Sequence, residues 1–190
     1  MPWQLKYLNG SRCKITMNRI KFWIIAIIFS IFLLGILTIL LPGEITISRT
    51  DTINTKQEIV TNQLTDFKNW KNWFPLFQHK NIKIDISQNL DTSFATLTNE
   101  KGENLSFILL PESKGIINVL VEQNKSSTEN YQFIVSSNDL GYTQLTWNIH
   151  MHLGWNPWKR LSVFFVDKIR GPEYDAILNN LKLAAESHQP

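Results

Sequence analysis

Hydrophobic and polar positions along the chain predict its elements in turn. Residues 22–41 form an apolar run of 20 residues in which Ser30 and Thr38 are the only polar members, and both hydroxyls can bond back to a helix carbonyl. As a helix such a run rises about 30 Å, the thickness of a bilayer's hydrocarbon core, so it predicts a transmembrane helix. A cleaved secretory signal has an apolar region of about 7 to 15 residues that ends in small residues. Here the run continues to Leu40-Leu41-Pro42-Gly43, which favours an uncleaved anchor.

Beyond Gly43 the period changes. Ile45 and Ile47 alternate with Thr46 and Ser48, which predicts a strand. Thr55-Lys-Gln-Glu58 has capping-box spacing and predicts a helix start. Val60, Leu64 and Phe67 mark one face of that helix, and Trp70, Trp73, Phe74 and Phe77 extend the apolar surface, with Pro75 as the interruption. Residues 82–86, 93–98, 104–110, 115–121, 131–136 and 142–153 then read as short strands of an antiparallel meander, and the turns at 99–102, 111–115 and 137–141 each supply a glycine for positive φ. The last strand alternates most clearly. Leu145, Trp147, Ile149, Met151 and Leu153 share one face, while Gln144, Thr146, Asn148, His150 and His152 share the other. One face is therefore covered and the other wet.

After a loop with Trp155, Pro157 and Trp158, the residues Leu161, Phe164, Phe165, Lys168 and Ile169 keep helical spacing. Gly171-Pro172 is expected to end that helix and open the next, because proline is favourable at a first helical position. Tyr174, Ile177, Leu178, Leu181, Ala184 and Ala185 give the last helix an apolar stripe. The order of elements predicts an α+β domain, a seven-stranded curved antiparallel sheet around a long C-terminal helix, preceded by one transmembrane helix. The expected division is a basic tail at 1–21, the membrane helix at 22–41 and one domain at 43–190.

Charge refines the topology. The net charge is +3 from 19 basic and 16 acidic residues, but Lys6, Arg12, Lys14, Arg19 and Lys21 all precede the apolar run with no acid among them. Taking those five from the 19 leaves 14 basic against 16 acidic residues, so the domain itself is not basic and no nucleic-acid partner is expected. Basic flanks stay in the cytoplasm, which places the domain outside it, in the periplasm of a Gram-negative cell. Cys13, the single cysteine, lies in the tail, so the exported domain forms no disulfide and rests on its own core.

Candidate chemistry is sparse. His150 and His152 project from the same side of a strand and offer two ligands to a metal, with His79 or a carboxylate as a third, but no third ligand has motif spacing and solvated histidines are the better reading. A nucleophile elbow, a phosphate-binding glycine loop and an HExxH helix are absent from the sequence. Asp66 and Glu122 read as solvated surface charge rather than as an acid or base. No catalytic set, metal or cofactor is expected. The aromatics, including Trp70, either fill the core or line a cavity. Trp155 and Trp158 beside Lys159 and Arg160 suit a buried loop anchor, a cap on such a cavity, or a place at lipid headgroups.

The stretch from Ile53 to Pro75, with Trp70-Lys-Asn-Trp73-Phe-Pro75 at its end, resembles the opening of the SRPBCC superfamily of START, polyketide-cyclase and birch-allergen-like helix-grip proteins. Gly171-Pro-Glu-Tyr-Asp-Ala-Ile-Leu-Asn-Asn-Leu-Lys182 resembles that family's last helix, and it has Ala176 where many relatives carry a glycine. The resemblance covers about residues 44 to 187. It implies a cavity between sheet and final helix that takes a hydrophobic small molecule or lipid. The residues expected to line it are Trp73, Phe77, Phe107, Phe133, Trp147, Ile149, Met151, Tyr174 and Leu178. A membrane-tethered binding module is the first expectation. A cyclase/dehydrase-like or hydrolase-like enzyme using the same cavity, and a protein-interaction domain with a filled core, are the alternatives.

Overall fold

In the computed structural model, which describes residues 8–88, 92–123, 126–138, 141–154 and 156–187, the apolar run lies within helix α1, Leu8–Leu40. Residues 8–18, 37–39, 126–128 and 157–158 are described by their backbone alone. The helix starts well before the apolar run and takes in Arg12, Lys14 and Arg19, since lysine and arginine are good helix formers and the hydrogen-bond ladder has no cause to stop. From Arg19 to Ile36 no residue is buried, and this stretch is long and apolar enough to cross a membrane.

The sheet contains β1 Glu44–Ile53, β2 Lys83–Gln88, β3 Ser93–Thr98, β4 Asn104–Leu109, β5 Ile116–Gln123, β6 Ser126–Ser137 and β7 Thr143–His152. Its order is β1-β7-β6-β5-β4-β3-β2 with every pair antiparallel, so the six-stranded meander forms as expected and β1 closes it beside β7, from Glu44 opposite His152 to Ile53 opposite Thr143. The helices are α2 Gln57–Thr65, α3 Phe67–Trp70, α4 Pro75–Gln78, α5 Pro157–Leu161 and α6 Val163–Ser187. The long α6 covers one face of the sheet with Tyr174, Ile177, Leu178, Leu181 and Ala185, and α2 covers the same face with Val60 and Leu64. β7 carries the alternation the sequence predicts, buried from Leu145 to Met151 at every second residue. On the wet face, a ladder of polar side chains crosses four strands, from Ser48 to Asn148 at 2.8 Å, from Asn148 to Gln132 at 3.2 Å and from Gln132 to Asn118 at 3.4 Å.

Three local expectations are corrected. The capping box does not form: α2 begins at Gln57 after Lys56, with no side-chain cap. Thr55 is instead drawn into the end of the sheet, where the buried Thr143 hydroxyl donates to its carbonyl at 2.6 Å. The first helix breaks at Asp66, before Pro75, because the Asp66 carboxylate accepts from the Lys68 amide at 2.9 Å and caps α3, while Pro75 opens α4. Asp66 is thus a helix cap rather than a bare surface charge. Finally, α6 runs through Gly171-Pro172 without a break. Pro172 and Lys168 both lie on the exposed side of α6, where the carbonyl left without an amide is open to water.

Two glycines have close neighbours, one a backbone carbonyl and the other the end of a side chain. Gly115 has φ 76°, and a Cβ there would stand 2.8 Å from the Val135 carbonyl oxygen. At Gly171 a Cβ would stand 2.6 Å from the Arg49 guanidinium. The close approach on the final helix is therefore at Gly171, while Ala176 faces outward.

Candidate functional site: an aromatic interior with one polar end

All nine residues expected to line a cavity lie in a single buried cluster between the sheet and the helices. Trp73 and Phe77 come from the turn after α3 and from α4. Phe107 comes from β4, Phe133 from β6, Trp147, Ile149 and Met151 from β7, and Tyr174 and Leu178 from α6. The rings touch in series: Phe77 meets Phe107 at 5.5 Å, Phe107 meets Tyr131 at 6.5 Å, Tyr131 meets Trp147 at 5.3 Å and Trp147 meets Tyr174 at 5.4 Å between centroids. Phe133 stacks on Trp147 at 5.4 Å. Among the described residues, the nine side chains pack on one another and on neighbours such as Trp70 and Leu181.

At the α6 end this cluster turns polar. The Glu129 carboxylate on β6 accepts from the Tyr131 hydroxyl at 2.8 Å through one oxygen and from Arg170 Nη1 at 2.5 Å through the other. The Arg170 guanidinium also lies 5.1 Å from the centroid of the Tyr174 ring. Burial pushes the Tyr131 phenol well above its ordinary pKa, and the Glu129 charge and hydrogen bond add to the shift. Tyr174 is raised for the same first reason, with Glu129 next. For Arg170, burial works against the charged form, but the hydrogen bond and charge of Glu129 outweigh it and the pKa stands above its usual value. Both phenols are protonated at neutral pH, and that of Tyr131 donates to Glu129. Beside this series of contacts, Trp147 Nε1 and the Tyr174 hydroxyl are buried with no hydrogen-bond partner among the described residues.

Two clefts open at one end of the sheet, the first where β1 starts and β7 ends and the second across the sheet at the β3–β4 turn. One, of about 180 Å³, is lined by Glu44, Ile45, Glu129, Asn130, His150 and Met151. The other, of about 190 Å³, lies by Leu76, Ile82, Leu97 and Leu105. Each is smaller than the roughly 300–1,000 Å³ of a drug-sized ligand's pocket.

A second set of contacts joins α6 to the edge strand. Arg49 on β1 faces inward, lies across Gly171 and bonds Asp167 at 2.6 Å and Asp175 at 2.7 Å, one turn to either side. The Asp167 hydrogen bond is the main reason its pKa is raised. Asp51, two residues on, meets Lys182 at 3.0 Å. These ion pairs fix the position of α6 along β1. Neither Glu129 with Arg170 nor Arg49 with its aspartates was expected from the sequence. The available signal was an acid or base at an inward position of an alternating strand: Arg49 and Asp51 follow Ile45 and Ile47 in register, and Glu129 precedes Tyr131 and Phe133.

His150 and His152 share the wet face of β7, as the alternation requires. Their Nδ1 atoms lie 2.8 Å from Thr46 Oγ1 and 3.2 Å from Glu44 Oε1. His79 follows α4, and no group of three His, Cys, Asp or Glu among the described residues is placed to hold a metal ion. Glu122 lies on the same side of the sheet, at an irregularity in β5. Trp155 and the Trp158 side chain lie outside the described residues.

No protein-family model matches the sequence, and no curated protein matches it significantly. Solved structures do share its fold. An aromatase/cyclase from Streptomyces sp. R1128 is similar with a TM-score of 0.56 at 14% identity, over 75% of this chain and 94% of that one. Norcoclaurine synthase from Thalictrum flavum, solved in complex with dopamine and hydroxybenzaldehyde, is similar with a TM-score of 0.56 at 12% identity, over 77% and 89%. A protein of unknown function from Staphylococcus aureus reaches 0.59 at 10% identity, over 76% and 94%. The fold is thus a helix-grip fold shared with these structures: a curved seven-stranded antiparallel sheet grips the long helix α6.

Proposed function

We propose that this chain is a membrane-tethered helix-grip domain that binds a hydrophobic small molecule or lipid outside the cytoplasm, between the sheet and α6. The observation that carries the reading is the pair of unpartnered buried donors, Trp147 Nε1 and the Tyr174 hydroxyl, in an interior otherwise lined by apolar side chains. A buried polar group without a partner costs about 1–3 kcal/mol, and a ligand carbonyl or hydroxyl placed between them removes that cost. The apolar remainder of the ligand replaces contacts among Phe133, Ile149 and Leu178, each methylene contributing about 0.8 kcal/mol. Entry proceeds by displacement of these side chains, because the clefts at the sheet end are narrow. The complex of norcoclaurine synthase with two small aromatic molecules supports the same use of the fold. The tether is α1, with its basic flank in the cytoplasm.

The test is native mass spectrometry of the full chain extracted from its own host's membranes. A non-covalent apolar adduct is expected on the wild type and its loss on Leu178→Trp, with both proteins folded by circular dichroism. A wild type that carries no adduct and takes up no apolar dye would overturn the reading in favour of a filled, protein-interacting core.

A further inference from the structure

Helix α6 is apolar on two sides. Its inward side begins at Gly171 and Tyr174, but its first two turns carry a second apolar surface that no described residue covers: Phe164 is 66% exposed, Phe165 59% and Ile169 73%. Phe165 and Ile169 stand one turn apart, as do Phe164 and Lys168, so the four side chains form one patch. Two adjacent exposed phenylalanines and an isoleucine on a folded domain mark an interaction surface.

The surroundings identify what covers it. This part of α6 follows α5, and α5 lies against the end of α1: Arg160 donates to the Leu41 carbonyl at 3.2 Å and to the Gly154 carbonyl at 2.8 Å, and the Leu153 amide donates to the Gly43 carbonyl at 2.8 Å. The patch therefore starts a few residues from the point where the apolar helix leaves the domain. Lys159 and Lys168 are exposed on the same two helices, at the patch or beside it, while Asp167 and Asp175 are engaged by Arg49. Aromatic and aliphatic side chains with lysines at their margin suit the boundary between lipid headgroups and acyl chains.

We infer that the first two turns of α6 dock on the surface of the bilayer that holds α1, inserting Phe164, Phe165 and Ile169 among the lipids. The inference rests on the reading of α1 as a membrane span. Docking lays the start of α6, the Arg170–Glu129 pair and both clefts toward the membrane, instead of leaving the domain free on its tether.

The experiment uses the full chain with Cys13→Ser and one new cysteine at a time, Phe165→Cys, Ile169→Cys or Leu183→Cys, each carrying an environment-sensitive fluorophore. Leu183 is the control: it is 58% exposed on α6 but lies toward the opposite end of the helix. The chain is reconstituted into phosphatidylcholine vesicles with phosphatidylglycerol, with or without lipid carrying a nitroxide high on its acyl chain. Labels at 165 and 169 are expected about 5–10 Å below the headgroups, quenched by the nitroxide and shielded from aqueous iodide. The label at 183 is expected to behave in the opposite way. Labels at 165 and 169 that iodide reaches as readily as 183 overturn the proposal. Shielding from iodide without quenching by lipid also overturns it and assigns the patch to a second protein surface. Alkaline carbonate extraction reports on α1 separately: a chain stripped from the vesicles removes the anchor and the docking with it, whereas a retained chain with exposed labels leaves the anchor standing and overturns the docking alone.

Discussion

Around Trp70 the rings of Phe67, Trp73, Phe74, Phe77 and Phe107 gather with centroids 4.9–5.4 Å away. Around Trp147 the rings of Tyr131, Phe133 and Tyr174 lie at 5.3–5.4 Å. Ring contact is as close in one place as in the other. The polar atoms differ. Trp70 Nε1 donates to the Leu64 carbonyl at 3.0 Å and Trp73 Nε1 to the Gln63 carbonyl at 3.3 Å, so α2 satisfies both indoles locally. Among the described residues Trp147 Nε1 and the Tyr174 hydroxyl have no such partner, and a half-buried acid and a guanidinium stand next to them. Burial alone does not separate the two regions; the partners of the indole N–H groups do, while an unpartnered buried acceptor, Gln63 Oε1, is found on α2 as well.

The largest effect expected from this contrast is on Trp70. Trp70→Ala removes a fully buried indole and should lower stability by about 3–5 kcal/mol, read as a shift of the urea midpoint. The sharper comparison uses phenylalanine. Trp70→Phe leaves the Leu64 carbonyl without its donor, an added loss of about 1 kcal/mol. Trp147→Phe keeps a ring and discards an N–H that bonds nothing, so it should destabilise less than Trp70→Phe. Equal losses would mean that Trp147 Nε1 has a partner in solution, and the contrast between the two regions would disappear.

The parts of this architecture that were legible in the sequence are those where one physical preference acts alone. β7 separates a dry face from a wet one, and its period of two is therefore visible from Leu145 to Met151. The meander was legible for the same reason, with polar turns marking each reversal. What was hidden depends on pairs far apart in the chain. Glu129 and Arg170 are separated by 41 residues and Arg49 and Asp167 by 118, so neither leaves a periodic trace. A charge at an inward strand position reads as solvated until the helix that pairs with it is in place. Local choices were overridden as well. Thr55 could have capped α2, but α2 starts after Lys56 and the buried Thr55 hydroxyl bonds no described residue, while Thr143 donates to the Thr55 carbonyl. Pro172 could have opened a helix, but on the outer side of α6 its missing amide is tolerated. The nine candidate lining residues were legible as a buried set, because apolar periodicity reports burial. It does not report which buried donors lack acceptors.

A smaller effect is expected at high pH and belongs to the polar region only. Tyr131 and Tyr174 have pKa values raised by burial above the ordinary phenol value in the folded protein, so the folded state holds protons that the unfolded state gives up. Their stabilising contribution is fully present below about pH 10, the unfolded value, and is lost as pH rises beyond it. Each tyrosine steepens the fall by up to about 1.4 kcal/mol per pH unit. Melting temperatures between pH 9 and 11.5 should drop for the wild type and drop less steeply for Tyr131→Phe, after allowing for its lost bond to Glu129. Trp70→Phe should keep the wild-type slope, since the substitution removes no titrating group. A slope unchanged in Tyr131→Phe would show that its phenol reaches water.

The smallest effect is expected on the other side of the sheet, three residues from the indole that defines the candidate site. His150 lies on the wet face of β7, one residue from Ile149 and Met151, which are buried. Its imidazole has one side-chain contact there, to Thr46 Oγ1 at 2.8 Å, and that contact is exposed. Water can replace such a bond, so His150→Ala should change stability by no more than about 0.5 kcal/mol. Trp147→Ala, on the same strand but facing α6, should lose about 3–5 kcal/mol. The urea midpoints of the two variants measure how sharply β7 divides a packed interior from solvent. If they shifted by similar amounts, the wet face would be covered in solution, and the difference between the two sides of the sheet would have to be sought in what covers it.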